Sequence, residues 1–140
     1  MWVIVHTYVG LAIASLLHLP FWQVAVLVIA SHVLLDLIPH WDYGQTAHAL
    51  AWGWVDFLAA SATLVVLAAT GTPWSIVLMG PIAGAPDFDV LFFVATGGRG
   101  RKWFPSHWGS FPHGHCGKKV GITLQFAIMA ASLAVVLAAR

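Results

Sequence analysis

Three stretches of this chain, residues 1–35, 57–86 and 120–139, contain no Lys, Arg, Asp or Glu. A bilayer about 30 Å thick asks for roughly 20 apolar residues per helical span at 1.5 Å per residue, so each stretch supplies one or more spans. With 60% hydrophobic and 8% charged residues, 140 residues carry too little polar surface to coat a water-soluble globule. That balance excludes an ordinary cytosolic enzyme, a disordered chain and a nucleic-acid binder. Lipid is the solvent the composition asks for.

Breakers divide the apolar stretches. Pro20 splits the first into two short spans, about 2–19 and 21–38, joined as a helical hairpin. A polar loop follows, and the third span, about 51–70, stops at Thr70-Gly71-Thr72-Pro73. The fourth, about 75–95, contains Gly80-Pro81 and Gly84-Ala85-Pro86 and is expected to break at Pro86; the fifth covers about 120–139. The fold class expected is all-α, one polytopic membrane domain over residues 1–140 with about five spans and an interfacial loop at 96–119. That loop holds Arg99, Arg101, Lys102, Lys118 and Lys119, five of the six basic residues. Basic loops stay in the cytoplasm, which predicts a cytoplasmic (inner) membrane protein with its N-terminus inside and its C-terminus outside. The first span lacks a basic leader and a small-residue cleavage site, so it reads as retained. The single Cys116 excludes an internal disulfide.

On this map the polar groups gather. Asp36, Asp42, Asp56, Asp87 and Asp89 all fall near one membrane face, as do seven of the eight histidines; only His18 falls on the other. Ionisable groups inside a membrane are costly and mark functional sites by default. His32 and Asp36 stand one helical turn apart, where an imidazole and a carboxylate offer themselves to one divalent ion, and His40 and Asp42 follow just past the helix end. Asp87 and Asp89 flank Phe88 after Pro86, and two close carboxylates repel unless a cation or proton lies between them. His6 lies one turn into the first span at the same depth. Asp56 reads as a carboxylate that orients a ligand histidine. In the glycine-rich loop, His113, His115 and Cys116 offer ligand atoms at a spacing that matches no standard zinc module. Arg99, Arg101 and Lys102 beside Trp103 and Phe104 suit a lipid headgroup.

Three elements, His6-x-x-x-Gly10, Ser31-His32-x-x-x-Asp36 and Pro86-Asp87-x-Asp89, resemble those of the small inner-membrane metal-dependent hydrolases. His107-Trp108-Gly109 through His113 is similar to a further His-Arg-Gly-x-Thr-His-Ser element, with Trp108 in place of Arg and the histidines one residue further apart. The resemblance implies a shared His/Asp metal site and hydrolytic chemistry.

These features together predict a membrane-embedded, metal-dependent hydrolase acting on a lipid or lipid-linked ester or phosphoester at the cytoplasmic face. The expected metal ligands are His6, His32, Asp36, Asp87, Asp89 and His113, with zinc, manganese or iron suited to mixed His and Asp donors. His40 or Asp42 is the expected general acid or base. Implied partners are membrane lipid and a lipid or lipid-phosphate substrate, with a homo-oligomer or a larger membrane complex left open. Two rival readings use the same residues. One is a non-catalytic subunit of a membrane complex that binds haem, pigment or an ion through its histidines. The other is an ion-coupled transporter component, against which the lack of an internal repeat counts.

Overall fold

Several helix ends fall where the sequence supplies a breaker. The computed structural model describes residues 1–139, and these residues form helices and turns but no strand. Helix α1 (Val3–Leu16) stops short of Pro20, which stands at the N-cap of α2 (Phe21–Leu37). Pro39 disfavours the helical region for the residue before it, so α2 ends at Leu37 with Ile38 extended. Helix α3 (Ala49–Ala69) gives way to Gly71, whose φ of +85° is a left-handed conformation that suits glycine. A helical run over Trp74–Ala95 comes next, made of α4 (Trp74–Val77), α5 (Met79–Gly84), a 3₁₀ turn at Ala85–Asp87 and α6 (Phe88–Ala95). After the loop, α7 (Lys118–Ala138) completes the bundle.

Three of these helical segments, Ala49–Ala69, Trp74–Ala95 and Lys118–Ala138, are long and apolar enough to cross a membrane. The expectation of about five spans is therefore corrected. Helices α1 and α2 have 14 and 17 residues. At 1.5 Å per residue they reach about 21 and 26 Å, short of a hydrocarbon core about 30 Å thick. Apolar sequence continues through Leu17-His18-Leu19, but the hairpin turn takes those residues out of the helix.

The expected break at Pro86 takes the form of an interruption of the α-helix: α5 ends at Gly84, a 3₁₀ turn covers Ala85–Asp87 and α6 begins at Phe88. The chain stays in right-handed helical geometry through Gly84 (φ −84°, ψ −12°) and Asp87 (φ −68°, ψ −12°), tightening to a 3₁₀ turn. Pro86 stands at the start of that turn, where its missing N–H costs least. Just ahead of the turn the Ala83 carbonyl accepts a hydrogen bond from His32 Nδ1 at 2.8 Å, so the local irregularity serves a neighbouring helix.

The arrangement inverts a soluble protein. Among the described residues thirteen hydrophobic and thirteen polar or charged residues are buried, while twenty-five large hydrophobics, among them Trp22, Val26, Leu58, Val65 and Leu137, are exposed. Such continuous apolar surface suits lipid rather than water. Ser15, Ser61, Thr63 and Thr70 donate their hydroxyls to carbonyls four residues back in their own helices, which hides polar atoms inside apolar segments. Helix α1 lies at the centre, packed against α2, α3, α5 and α7. It approaches α5 so closely at Gly10 that a Cβ there would stand 2.6 Å from Ala83 Cβ.

Candidate metal centre

The site assembles where α1 starts, α2 ends and the run 74–95 tightens. Helix α1 has no side-chain cap of its own; the Asp56 carboxylate of α3 accepts from the Val3 and Ile4 N–H groups at 2.7 and 2.9 Å. A carboxylate there satisfies unpaired donors and complements the helix dipole. Tyr43 also donates to Asp56, at 2.9 Å. Burial and the nearby Asp56 charge push the Tyr43 hydroxyl well above its ordinary value, so it remains a donor. One turn further along α1, His6 is fully buried and meets α2 and the 3₁₀ turn.

Three imidazole nitrogens and two carboxylates converge there. His6 Nε2 lies 3.5 Å from Asp36 Oδ1 and 3.9 Å from Asp87 Oδ2. His32 Nε2 lies 3.4 Å from Asp36 Oδ2 and 3.8 Å from Asp87 Oδ1. His107 Nε2 lies 3.5 Å from Asp36 Oδ2, 3.4 Å from Asp87 Oδ1 and 3.3 Å from His32 Nε2. A tetrahedral ion with bonds of about 2.1 Å holds its ligand atoms about 3.4 Å apart, which is the spacing seen here.

The remaining hydrogen bonds decide what the nitrogens carry. His32 Nδ1 faces the Ala83 carbonyl at 2.8 Å and His107 Nδ1 faces Asp89 Oδ1 at 2.6 Å, and both oxygens accept. Each Nδ1 therefore holds the proton, and a neutral ring turns a bare Nε2 towards the centre. Two bare nitrogens 3.3 Å apart are stable only with a proton or a cation between them. His6 Nδ1, His6 Nε2 and Asp87 Oδ2 are buried without a hydrogen-bond partner. Unpaired buried polar atoms are expensive, and a divalent ion would satisfy them together. The residues thus fit a mixed His/Asp metal site.

Burial disfavours charge on His107, but its hydrogen bonds to Asp36 and Asp87 and the Asp89 charge outweigh this and raise it to about 10. In the metal-free protein the imidazolium supplies the positive charge the carboxylates need. His40 behaves oppositely: burial lowers it to about 4 and keeps it neutral, and burial lowers His113 as well.

The residues expected from sequence separate into groups. His6, His32, Asp36 and Asp87 come together with His107, which the sequence reading had not placed among the ligands. Asp89 faces away from the centre: it binds His107 Nδ1 and accepts from the N–H groups of Trp103 and Phe104, both at 2.6 Å. Two residues apart on a helix, side chains diverge by about 200°, so Asp87 and Asp89 do not share one ion. His113 pairs with His40 beside Asp36. Asp56 holds α1 and Tyr43 rather than a histidine. Asp42 accepts from the Gly44 N–H at 2.8 Å and stands on the wall of an adjoining cavity. Arg99 and Arg101 are exposed, whereas Lys102 is half-buried on the cavity wall with Nζ 5.2 Å from the Phe93 ring centroid. Two further residues complete the support: Ser106 donates to Asp36 Oδ2 at 2.7 Å, and buried Gln125 of α7 ties the Trp2 N–H to the Trp41 carbonyl.

The cavity has a volume of about 690 Å³. Asp87, His107 and His113 are among its polar lining, and Phe57, Leu64, Phe88, Leu91 and Val94 contribute apolar wall. A comparison with protein-family models finds no match, and comparisons with curated proteins and with solved structures find none either.

Proposed function

We propose that the protein is a membrane-embedded, metal-dependent hydrolase acting on a lipid or lipid-linked ester or phosphoester. The observation that carries this reading is the convergence of three histidine Nε2 atoms and the Asp36 and Asp87 carboxylates beside a cavity with apolar walls. A divalent ion held there supplies Lewis acidity towards a scissile carbonyl or phosphoryl oxygen and acidifies water. The chain's residues do the rest. Asp89 and the Ala83 carbonyl fix the tautomers and directions of His107 and His32. Asp42, on the cavity wall and outside the cluster, is placed to hold or pass a proton. Lys102 offers positive charge to a headgroup while the apolar wall receives the chain. Five basic residues at 99–119 support a cytoplasmic site in the inner membrane. The His6 and His32 rings stack with centroids 3.7 Å apart and offer no slot for a planar macrocycle, which weighs against a haem or pigment subunit.

The test is metal content of detergent-purified protein followed by hydrolysis of phospholipids and lipid phosphates, beside an Asp87→Ala variant. Retained metal and turnover, both lost in the variant, support the reading. Metal without turnover on any lipid substrate favours an ion pathway. No metal after loading with zinc, manganese and iron overturns it.

A further inference from the structure

His40 and His113 form a second histidine pair, and it is not explained by the centre described above. His40 Nδ1 lies 2.8 Å from the Ile38 carbonyl, which accepts only, so the proton sits on Nδ1 and Nε2 is bare. That nitrogen faces His113 Nε2 at 3.1 Å. A neutral His113 has one N–H, so its Nε2 either donates to that nitrogen or is bare as well. In the second case two lone pairs face one another at a half-buried place, an arrangement a cation resolves. The Asp36 carboxylate is the nearby negative charge: an oxygen of Asp36 and one nitrogen each of His40 and His113 lie within 4.8 Å of one another.

The backbone builds this pair deliberately. The Gly114 N–H donates to the Asp36 carbonyl at 2.9 Å, the His40 N–H to the Gly114 carbonyl at 3.4 Å, and the Cys116 N–H to the His40 carbonyl at 3.1 Å. These bonds lash the loop to the end of α2. The approach is so close that a Cβ on Gly114 would stand 2.5 Å from Ile38 backbone atoms. Both rings are thereby fixed before any ligand arrives, as a binding site requires.

We propose that Asp36, His40 and His113 hold a second divalent metal ion, with Asp36 bridging it to the ion of the first centre. Two imidazoles and a carboxylate suit zinc, manganese or iron, and the His115 ring centroid lies 5.2 Å from that of His113. The proposal rests on the metal reading of the first centre, because Asp36 serves both.

Manganese loading followed by elemental analysis and electron paramagnetic resonance tests it without any substrate. Wild-type protein is expected to hold about two manganese ions per chain and to show a spin-coupled pair signal, as carboxylate-bridged two-metal sites do. His113→Ala and His40→Gln should each drop to about one ion and lose the coupling, with helix content by circular dichroism unchanged. Using two variants at different places protects the result against a folding defect in either. A single ion in wild type, kept in His113→Ala and lost in Asp87→Ala, overturns the second site and leaves the first standing. No manganese or zinc in any form overturns both.

Discussion

The two ends of the bundle are made of opposite chemistry carried on the same central helix. At the start of α1, His6 lies buried among His32, Asp36 and Asp87. One turn later, Leu11 and Ala12 pack with Leu67, Val77 and Val136. The apolar end needs nothing but close packing. The polar end leaves His6 and one Asp87 oxygen without partners. Desolvating charged and polar groups without full pairing opposes folding. Packing alone therefore stabilises one end of α1, whereas the polar end depends on positive charge among its carboxylates, supplied in the metal-free protein by the His107 imidazolium.

That contrast can be broken in a graded series. The largest effect is expected from Asp87→Ala or Asp36→Ala, which should leave the first centre empty by elemental analysis while thermal unfolding still shows one cooperative transition. Leu11→Ala at the other end should do the reverse. It lowers stability by about 2–5 kcal/mol through the cavity it opens, measured by unfolding in detergent, with metal content unchanged. A milder change is Asp89→Asn, which weakens the hold on His107 Nδ1 without touching the ion. Metal affinity from chelator competition should fall about 10- to 100-fold. The smallest effect is a proton. His107 is raised to about 10, so in metal-free protein its charge contributes stability that is complete below the ordinary imidazole value of 6.5 and is lost as pH rises through about 10. Metal uptake near neutral pH must displace that proton, and calorimetry in buffers of different ionisation enthalpy should count about one released per ion at the first centre. His40, lowered to about 4, has none to give at that pH.

Much of the helical layout was legible, because its signals are local. Thr70-Gly71-Thr72-Pro73 ends α3 within one residue of the expected place, and α7 starts two residues ahead of it. The hairpin at Pro20 was legible as well, but the end of α1 was not, since apolar sequence runs through Leu17 and Leu19 and nothing local says that the chain leaves the helix after Leu16. Pro86 did mark where the α-helix of the fourth segment is interrupted, and the chain tightens to a 3₁₀ turn around the missing donor rather than leaving helical geometry. Within the site, the step of four from His32 to Asp36 was readable from helix geometry. His107 was not, because it reaches the bundle from an irregular loop, on a short turn at Pro105–His107 held by Asp89 and Ser106 contacts that no periodicity encodes. The available signal was its place as the first histidine of the element ending at His113.

Because His107 closes the cluster from the loop ahead of α7, the ligands are separated in time as well as in sequence. His32 leaves the ribosome 75 residues before His107. At a synthesis rate of about 5–20 residues per second, that is an interval of about 4–15 s. During it the chain already made carries His6, His32 and Asp36 without the His107 nitrogen that stands 3.3 Å from His32 in the finished site. A cluster that needs all of these groups is therefore completed only after the loop has been made, late in synthesis.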